Sequence, residues 1–308
     1  IGSNALDANT TASDNSALGQ GALGANTTGT QNTGLGRAAL NANTTADGNT
    51  GVGYFALVSN TTGTRNTATG SGSLDANTSG DDNTADGHGS LSANTTGDQN
   101  TALGRAALNG NTTASNNTAV GYFAMVNNTT GHSNVAVGAN ALDANTTAGE
   151  NVAVGSDSLG ANTTGTANVA VGRFALRDNV TADQNTGVGK NALLENEANN
   201  NTAVGFKALE QNTSGTQNVG VGQQAVDACT TGSQNVGLGP HALGETTTGD
   251  DNVGIGHAAG FSITTGGNNI CIGDDAGRSN SPSGNITTGS NNVVLGNNNI
   301  SNLFCADT

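Results

Sequence analysis

A five-residue pattern, Asn followed by Thr or Val, a small residue, an aliphatic residue and Gly, returns along the whole chain. Its first Asn falls at Asn15, Asn32 and Asn49 and continues in steps of 17 to Asn185. A step of 16 leads to Asn201, steps of 17 carry the series through Asn218, Asn235, Asn252 and Asn269, and a step of 23 reaches Asn292. A fixed short period selects a solenoid, because one unit is too small to enclose a core and buries its apolar residues only against the next unit. The expected fold class is all-β, a parallel β-solenoid or β-roll with 17-residue coils, forming one elongated stack in place of the two globular domains that chain length alone would suggest.

The unit from Asn134 to Glu150 shows how a coil is expected to be built. The pentad reads as a short strand whose second and fourth residues, Val135 and Val137 here and Thr50 and Val52 earlier, face the core. Gly138 makes a corner where a side chain would clash or φ must be positive. Ala141 and Leu142 read as a second short strand. The Asn-Thr-Thr-Gly segment reads as a turn that uses the left-handed tolerance of Asn and Gly. Stacking aligns equivalent residues, so columns of Asn can exchange amide hydrogen bonds along the axis. The structural repeat residues are therefore Asn134, Val135, Val137, Gly138 and Leu142.

The small residue at the centre of the pentad, such as Ala17, Gly34, Gly51 or Ala136, is expected to point away from the core and to let another chain approach closely. Each coil has few apolar residues, and this adds to the expectation of an intertwined or closely packed homotrimer. Residues 1–256 read as a regular shaft. Residues 257–296 read as irregular last coils, with Gly260 and Gly277 where Leu had stood and an insertion at 278–285. Residues 297–308 read as a tail or junction.

With 8 basic against 23 acidic residues the net charge is −15, and the basic residues are scattered, which argues against nucleic acid as a partner. No long apolar run or basic amphipathic stretch points to membrane insertion. Cys229, Cys271 and Cys305 make no disulfide framework and are expected to be buried thiols. The chain opens in mid-repeat, so residues upstream of Ile1 are expected.

No catalytic constellation is present and no enzyme activity or cofactor is expected. His88, His132, His241 and His257 form no His-x-His pair. The acidic pairs Asp81-Asp82, Asp250-Asp251 and Asp274-Asp275 lie in turns without the six or so oxygens that Ca²⁺ needs, so no metal is expected. Gly19-Gln20-Gly21 is followed by no helix to hold a phosphate. Asn-Thr-Thr sequons begin at Asn26, Asn43, Asn60 and others, and are read as the turn each coil needs in preference to glycosylation acceptors. A Thr array suggests ice binding, but Gly or Ala after the second Thr makes a ridge instead of a flat face.

Tyr54 and Tyr122 follow the corner Gly at a position held elsewhere by Arg, Ser, His, Ala or Lys, so they are expected outside the core and suited to stacking on sugar rings. They are the first candidates for receptor contact. His257 and Arg278, where the rhythm breaks, are the others. Phe55, Phe123 and Phe174 are expected in the core or in contacts between chains. The segment Arg37-Ala38-Ala39-Leu40 followed by Tyr54-Phe55-Ala56-Leu57 recurs 68 residues later as Arg105-Ala106-Ala107-Leu108 followed by Tyr122-Phe123-Ala124-Met125, which places the two Tyr-Phe pairs on one side.

The Asn-Thr-Ala-Val-Gly-Tyr run at 117–122 and the Thr-Thr-Gly-Ser-Asn-Asn run at 287–292 are similar to the repeat regions of phage and prophage tail fibres. The pentads also resemble the β-roll repeats in the heads of trimeric autotransporter adhesins, whose repeats are usually shorter. The ending Ile300 to Thr308 is similar to the segment before a self-cleaving C-terminal intramolecular chaperone. The resemblance implies a homotrimeric, virion-borne or extracellular fibre, with host cell-surface glycan or protein receptors and other virion tail proteins as partners. The function expected is structural and adhesive, most closely that of a phage tail fibre. A bacterial trimeric surface adhesin is the alternative, and an ice-binding solenoid or a polysaccharide depolymerase are the further ones.

Overall fold

The computed structural model describes residues 2–302. It is an all-β parallel β-solenoid whose coils follow the 17-residue period. Two compact units divide it, Ile1–Thr164 and Gly165–Thr308. In the first, three-residue strands run from β1 (Ser16–Leu18) to β9 (Val152–Val154). In the second they run from β10 (Val169–Val171) to β17 (Val293–Leu295). Within each unit every strand pairs in parallel with the equivalent residues of its neighbours, Thr33 beside Thr50 and Val219 beside Val236, for example.

Only the central residue of a strand faces inward, and it is small in every described strand but β17, where it is Val294. Ala68, Ala136 and Ala203 are fully buried, whereas Val137 and Val204 are exposed. This reverses the expected orientation, in which Val135 and Val137 filled the core and the small column faced another chain. The reason is the width of the coil. Leu23 lies across from Gly34, and a Cβ built on that glycine would already stand 3.3 Å from Leu23 Cγ. The core accepts Leu from one side only if Gly or Ala stands on the other.

The Ala-Leu segment is likewise no strand. Gly36 opens two consecutive turns, closed by Ala39 N–H on Gly36 C=O at 3.3 Å and Asn41 N–H on Ala38 C=O at 3.3 Å. Their third residues, Ala38 and Leu40, have φ of 56° and 53°, the type II geometry that usually takes Gly. Bonds between coils hold these left-handed residues in place: Ala38 N–H reaches Gln20 C=O in the coil before, and Leu40 N–H reaches Ala56 C=O in the coil after. The corner glycine is needed on both counts expected of it. Gly104 has φ of 132°, and a Cβ there would fall 2.5 Å from the carbonyl oxygen of Gly121.

Two ladders of buried Asn complete the core. In the first, Asn43 Nδ2 donates to Asn26 Oδ1 one coil away (2.9 Å) and to Ala46 C=O in its own turn (3.0 Å). In the second, the pentad ladder, Asn134 takes its place: its N–H donates to Asn117 Oδ1 (3.0 Å) and its Nδ2 to Ala148 C=O (2.9 Å). The Asn-Thr-Thr-Gly turn is thus closed by the Asn side chain. Asn26 and Gly29 do not have positive φ, contrary to the expectation of left-handed residues there. Asn26, Asn43 and Asn60, which begin the sequons, are fully buried with their amides engaged.

Where the period breaks, the ladders show it. In the 16-residue coil before Asn201 the turn from Asn196 is one residue short. Asn185 Nδ2, which by analogy with Asn168 on Ala182 would donate to a carbonyl in that turn, has no partner among the described residues. Near the end of the second unit the first ladder turns apolar, passing from Asn212 through Cys229 and Thr246 to Ile263 and Ile286. The Leu column meanwhile becomes Gly260 and Gly277. A Cβ on Gly260 would meet Ile263 Cδ1 at 3.1 Å, so isoleucine from the ladder position fills the space that leucine leaves. Cys229 and Cys271 are buried as expected, and burial pushes their thiols up to about 12 and about 11 respectively. Cys305, with Leu303 to Thr308, lies outside the described residues.

Candidate functional site

The two positions after the corner glycines are exposed or half-buried, apart from the buried Ala258, and vary widely in side-chain size. In the first unit the leading position holds Arg37, Tyr54, Ser71, His88, Arg105 and Tyr122 in successive coils. The following position holds Ala38, Phe55, Gly72, Gly89, Ala106 and Phe123. At the following position Phe therefore stands in two coils, and nothing larger than Ala stands there between them. The result is an open groove of about 400 Å³. Phe55 and Phe123 wall its ends four coils apart, about 19 Å at the spacing of parallel strands.

Tyr54 and Phe55 stack with ring centroids 4.1 Å apart and planes 30° apart. Arg37, one coil earlier, lies 5.6 Å from the Tyr54 ring centroid, at a distance where a cation is attracted to the ring. At the other end Arg105 lies 5.6 Å from Tyr122 and 5.7 Å from Phe123, and its Nη1 donates to Tyr122 Oη at 3.4 Å. Because Arg105 belongs to the coil before Phe123, its guanidinium lines the groove, whereas Arg37 does not. The floor is polar. Ser92 Oγ donates to Asp75 Oδ1 (2.7 Å), and Asn109 Nδ2 donates to Gly89 C=O (2.9 Å).

Tyr54 and Tyr122 are 46% and 47% exposed, outside the core as expected. Phe55, Phe123 and Phe174 are half-buried at the surface and not in the core. Their backbones take the left-handed conformation of this position, with φ of 60°, 55° and 61°, which turns the rings onto Tyr54, Tyr122 and Arg173 respectively. Asp75, Ser92, Asn109 and Arg105 were not among the site residues expected from sequence. The signal was present in the four-coil recurrence and in the glycines at 72 and 89, once units are written one beneath another.

His257 and Arg278 meet in the second unit, at a groove of about 240 Å³ that His241 and Phe261 also line. Arg278 lies 5.0 Å from the Phe261 ring centroid and donates to Asp275 Oδ1 at 2.6 Å. His257 Nδ1 stands 3.0 Å from Asp274 Oδ1. The ligand atoms of His257, Asp274 and Asp275 lie within 4.8 Å of one another. Hydrogen bonds from Asn280 and then Arg278 hold the Asp275 carboxyl below the usual carboxylate range, so that carboxylate already has two donors on it.

The third surface is the outer face of the strands. In the second unit it carries two aliphatic side chains in nearly every coil, among them Val219 with Val221, Val253 with Ile255 and Ile270 with Ile272. In the first unit Thr more often takes the leading place, as in Thr50 and Thr118. Asp86 is the one charged side chain on this face among the described strands. The first Thr of each Asn-Thr-Thr turn uses its hydroxyl on the next coil, Thr27 Oγ1 donating to Thr44 C=O at 3.0 Å. Among the described residues no helix is long and apolar enough to cross a membrane. No protein family, curated protein or solved structure matches the chain in the comparisons made.

Proposed function

We propose that the chain is a structural and adhesive fibre protein whose copies associate through the aliphatic strand face. The observation that supports this is the column of outward Val, Ile and Leu residues, with Val221 at 38% and Ile272 at 40% exposure. Among the described strands only Asp86 interrupts that face with a charge, so a chain of net charge −15 keeps this one surface fit for contact with a copy of itself. A second copy also has the same coil spacing, so side chains can interdigitate in register along many coils, which an aperiodic partner does not offer.

Three copies about one axis make the arrangement that the resemblance to phage tail fibre repeats implies. Host receptor contact then falls to the outward columns that carry Tyr54 and Tyr122 or His257 and Arg278. Attachment to other virion tail proteins, and a place on the virion or at the cell exterior, belong to the same reading. Light scattering on the purified chain tests it: a mass of three chains is expected, with Val221→Glu combined with Ile255→Glu giving a folded chain of lower mass. A folded wild-type monomer would overturn it.

A further inference from the structure

We infer that the groove between Phe55 and Phe123 binds a neutral oligosaccharide. Its shape comes from side chains that are missing in sequence, not from a fold irregularity. Gly72, Gly89 and Ala106 occupy the position that carries Phe at either end, and a Cβ on Gly72 would have nothing nearer than Asp75 Oδ2 at 3.9 Å. The space is open, elongated along the coil axis, and long enough for several linked sugar rings.

The two ends differ in what they offer. Arg37 occupies the side of the Tyr54 and Phe55 pair that faces the preceding coil, which leaves the groove side of the rings as a platform for the C–H face of a pyranose. At the other end the Arg105 guanidinium presents fixed donors toward hydroxyl groups. Between them, Asp75 Oδ1 is taken by Ser92, while Oδ2 has no partner among the described residues. A carboxylate oxygen beside a hydroxyl, an amide and the His88 imidazole forms the mixed donor and acceptor floor that vicinal sugar hydroxyls require.

Other ligand classes fit less well. Asp75 and Arg105 offset one another, so the floor has no excess positive charge for a polyanion. The strand backbones alongside are already paired with the coils before and after them, leaving no sheet edge for an extended peptide to join.

The inference rests on the adhesive reading above, and the two can fail separately. The chain has two Tyr and no Trp; Tyr54 lines this groove and Tyr122 packs against its end residues Phe123 and Arg105, so intrinsic fluorescence reports on it. Neutral oligosaccharides of varied linkage are titrated into the intact chain while tyrosine emission is followed. Saturable change is expected for at least one of them. Gly89→Phe fills the groove with a residue that Phe55 and Phe123 show the same left-handed position to accept. It should lower affinity about tenfold or more while leaving the thermal transition by circular dichroism in place. No saturable change with any neutral oligosaccharide, binding confined to acidic glycans, or undiminished binding by a folded Gly89→Phe chain would each overturn the inference. None of these results bears on the chain mass from light scattering, which tests the fibre reading alone.

Discussion

Asn94 Nδ2 lies 2.8 Å from Asn77 Oδ1 in the coil before and 3.0 Å from Gly97 C=O in its own turn, while its own Oδ1 accepts from Asn111 at 2.9 Å. One buried side chain thus holds two neighbouring coils and its own turn. Deep in the stack water cannot replace these bonds, so their loss carries the full cost of unpaired polar groups. Asn94→Ala is expected to destabilise the fold by about 2–4 kcal/mol. The exposed Asn127→Ala should stay within about 0.5 kcal/mol. Urea denaturation of both variants checks the contrast.

Thr246 occupies the same column where it turns apolar, and its buried hydroxyl has no hydrogen-bond partner among the described residues. Valine has the same shape without the hydroxyl. Thr246→Val is therefore expected to stabilise the second unit by about 1–2 kcal/mol, read as a shift of the denaturation midpoint without change in its slope.

The inward orientation of the strand centre makes an asymmetric prediction. Ala136 is fully buried on the core side, as is Met125 in the Leu column, while the adjacent Val137 faces out. Ala136→Val should overpack the core and cost about 1–3 kcal/mol, whereas Val137→Thr should leave the stability of the single coil stack nearly unchanged. Met125→Ala added to Ala136→Val should recover part of the loss. The second unit makes this exchange itself, with Cys271 and Val294 at the strand centre where the Leu column has become Gly260 and Gly277.

Burial pushes the Asp143 carboxyl above its usual range, against a smaller pull downward from backbone amides and with the nearby Asp157 adding to the rise. A carboxyl raised in the folded state leaves stability complete below the unfolded value of about 3.9 and removes it as pH rises through the folded value. Asn41 and Asn109 occupy the same place in their coils and donate to carbonyls 20 residues back. Asp143→Asn is expected to be more stable than wild type by about 0.5–1 kcal/mol at neutral pH, with the gain shrinking toward pH 3. Denaturation at the two pH values measures it. A gain that grew on acidification would contradict the sign.

The sequence by itself determined the parallel β-solenoid, the alignment of its Asn columns and the need for a corner glycine, because a fixed period puts equivalent residues in register whatever the details of the coil. The exposed place of Tyr54 and Tyr122 was legible for the same reason: each stands in a column whose other members declare its surroundings, whereas Cys271 is buried because the strand-centre column it belongs to faces inward, against the expectation for that column. Only the tertiary structure decided which side of the strand faces in. Alternation has two equivalent phases, and the choice between Ala136 and its flanking valines depends on how much room the Leu column leaves across the core. It also decided that Ala38 and Leu40 turn left-handed, since bonds to the coils on either side are what hold non-glycine residues there. The groove between Phe55 and Phe123 arises in the same way, from glycines far apart in sequence that become neighbours only when the coils stack.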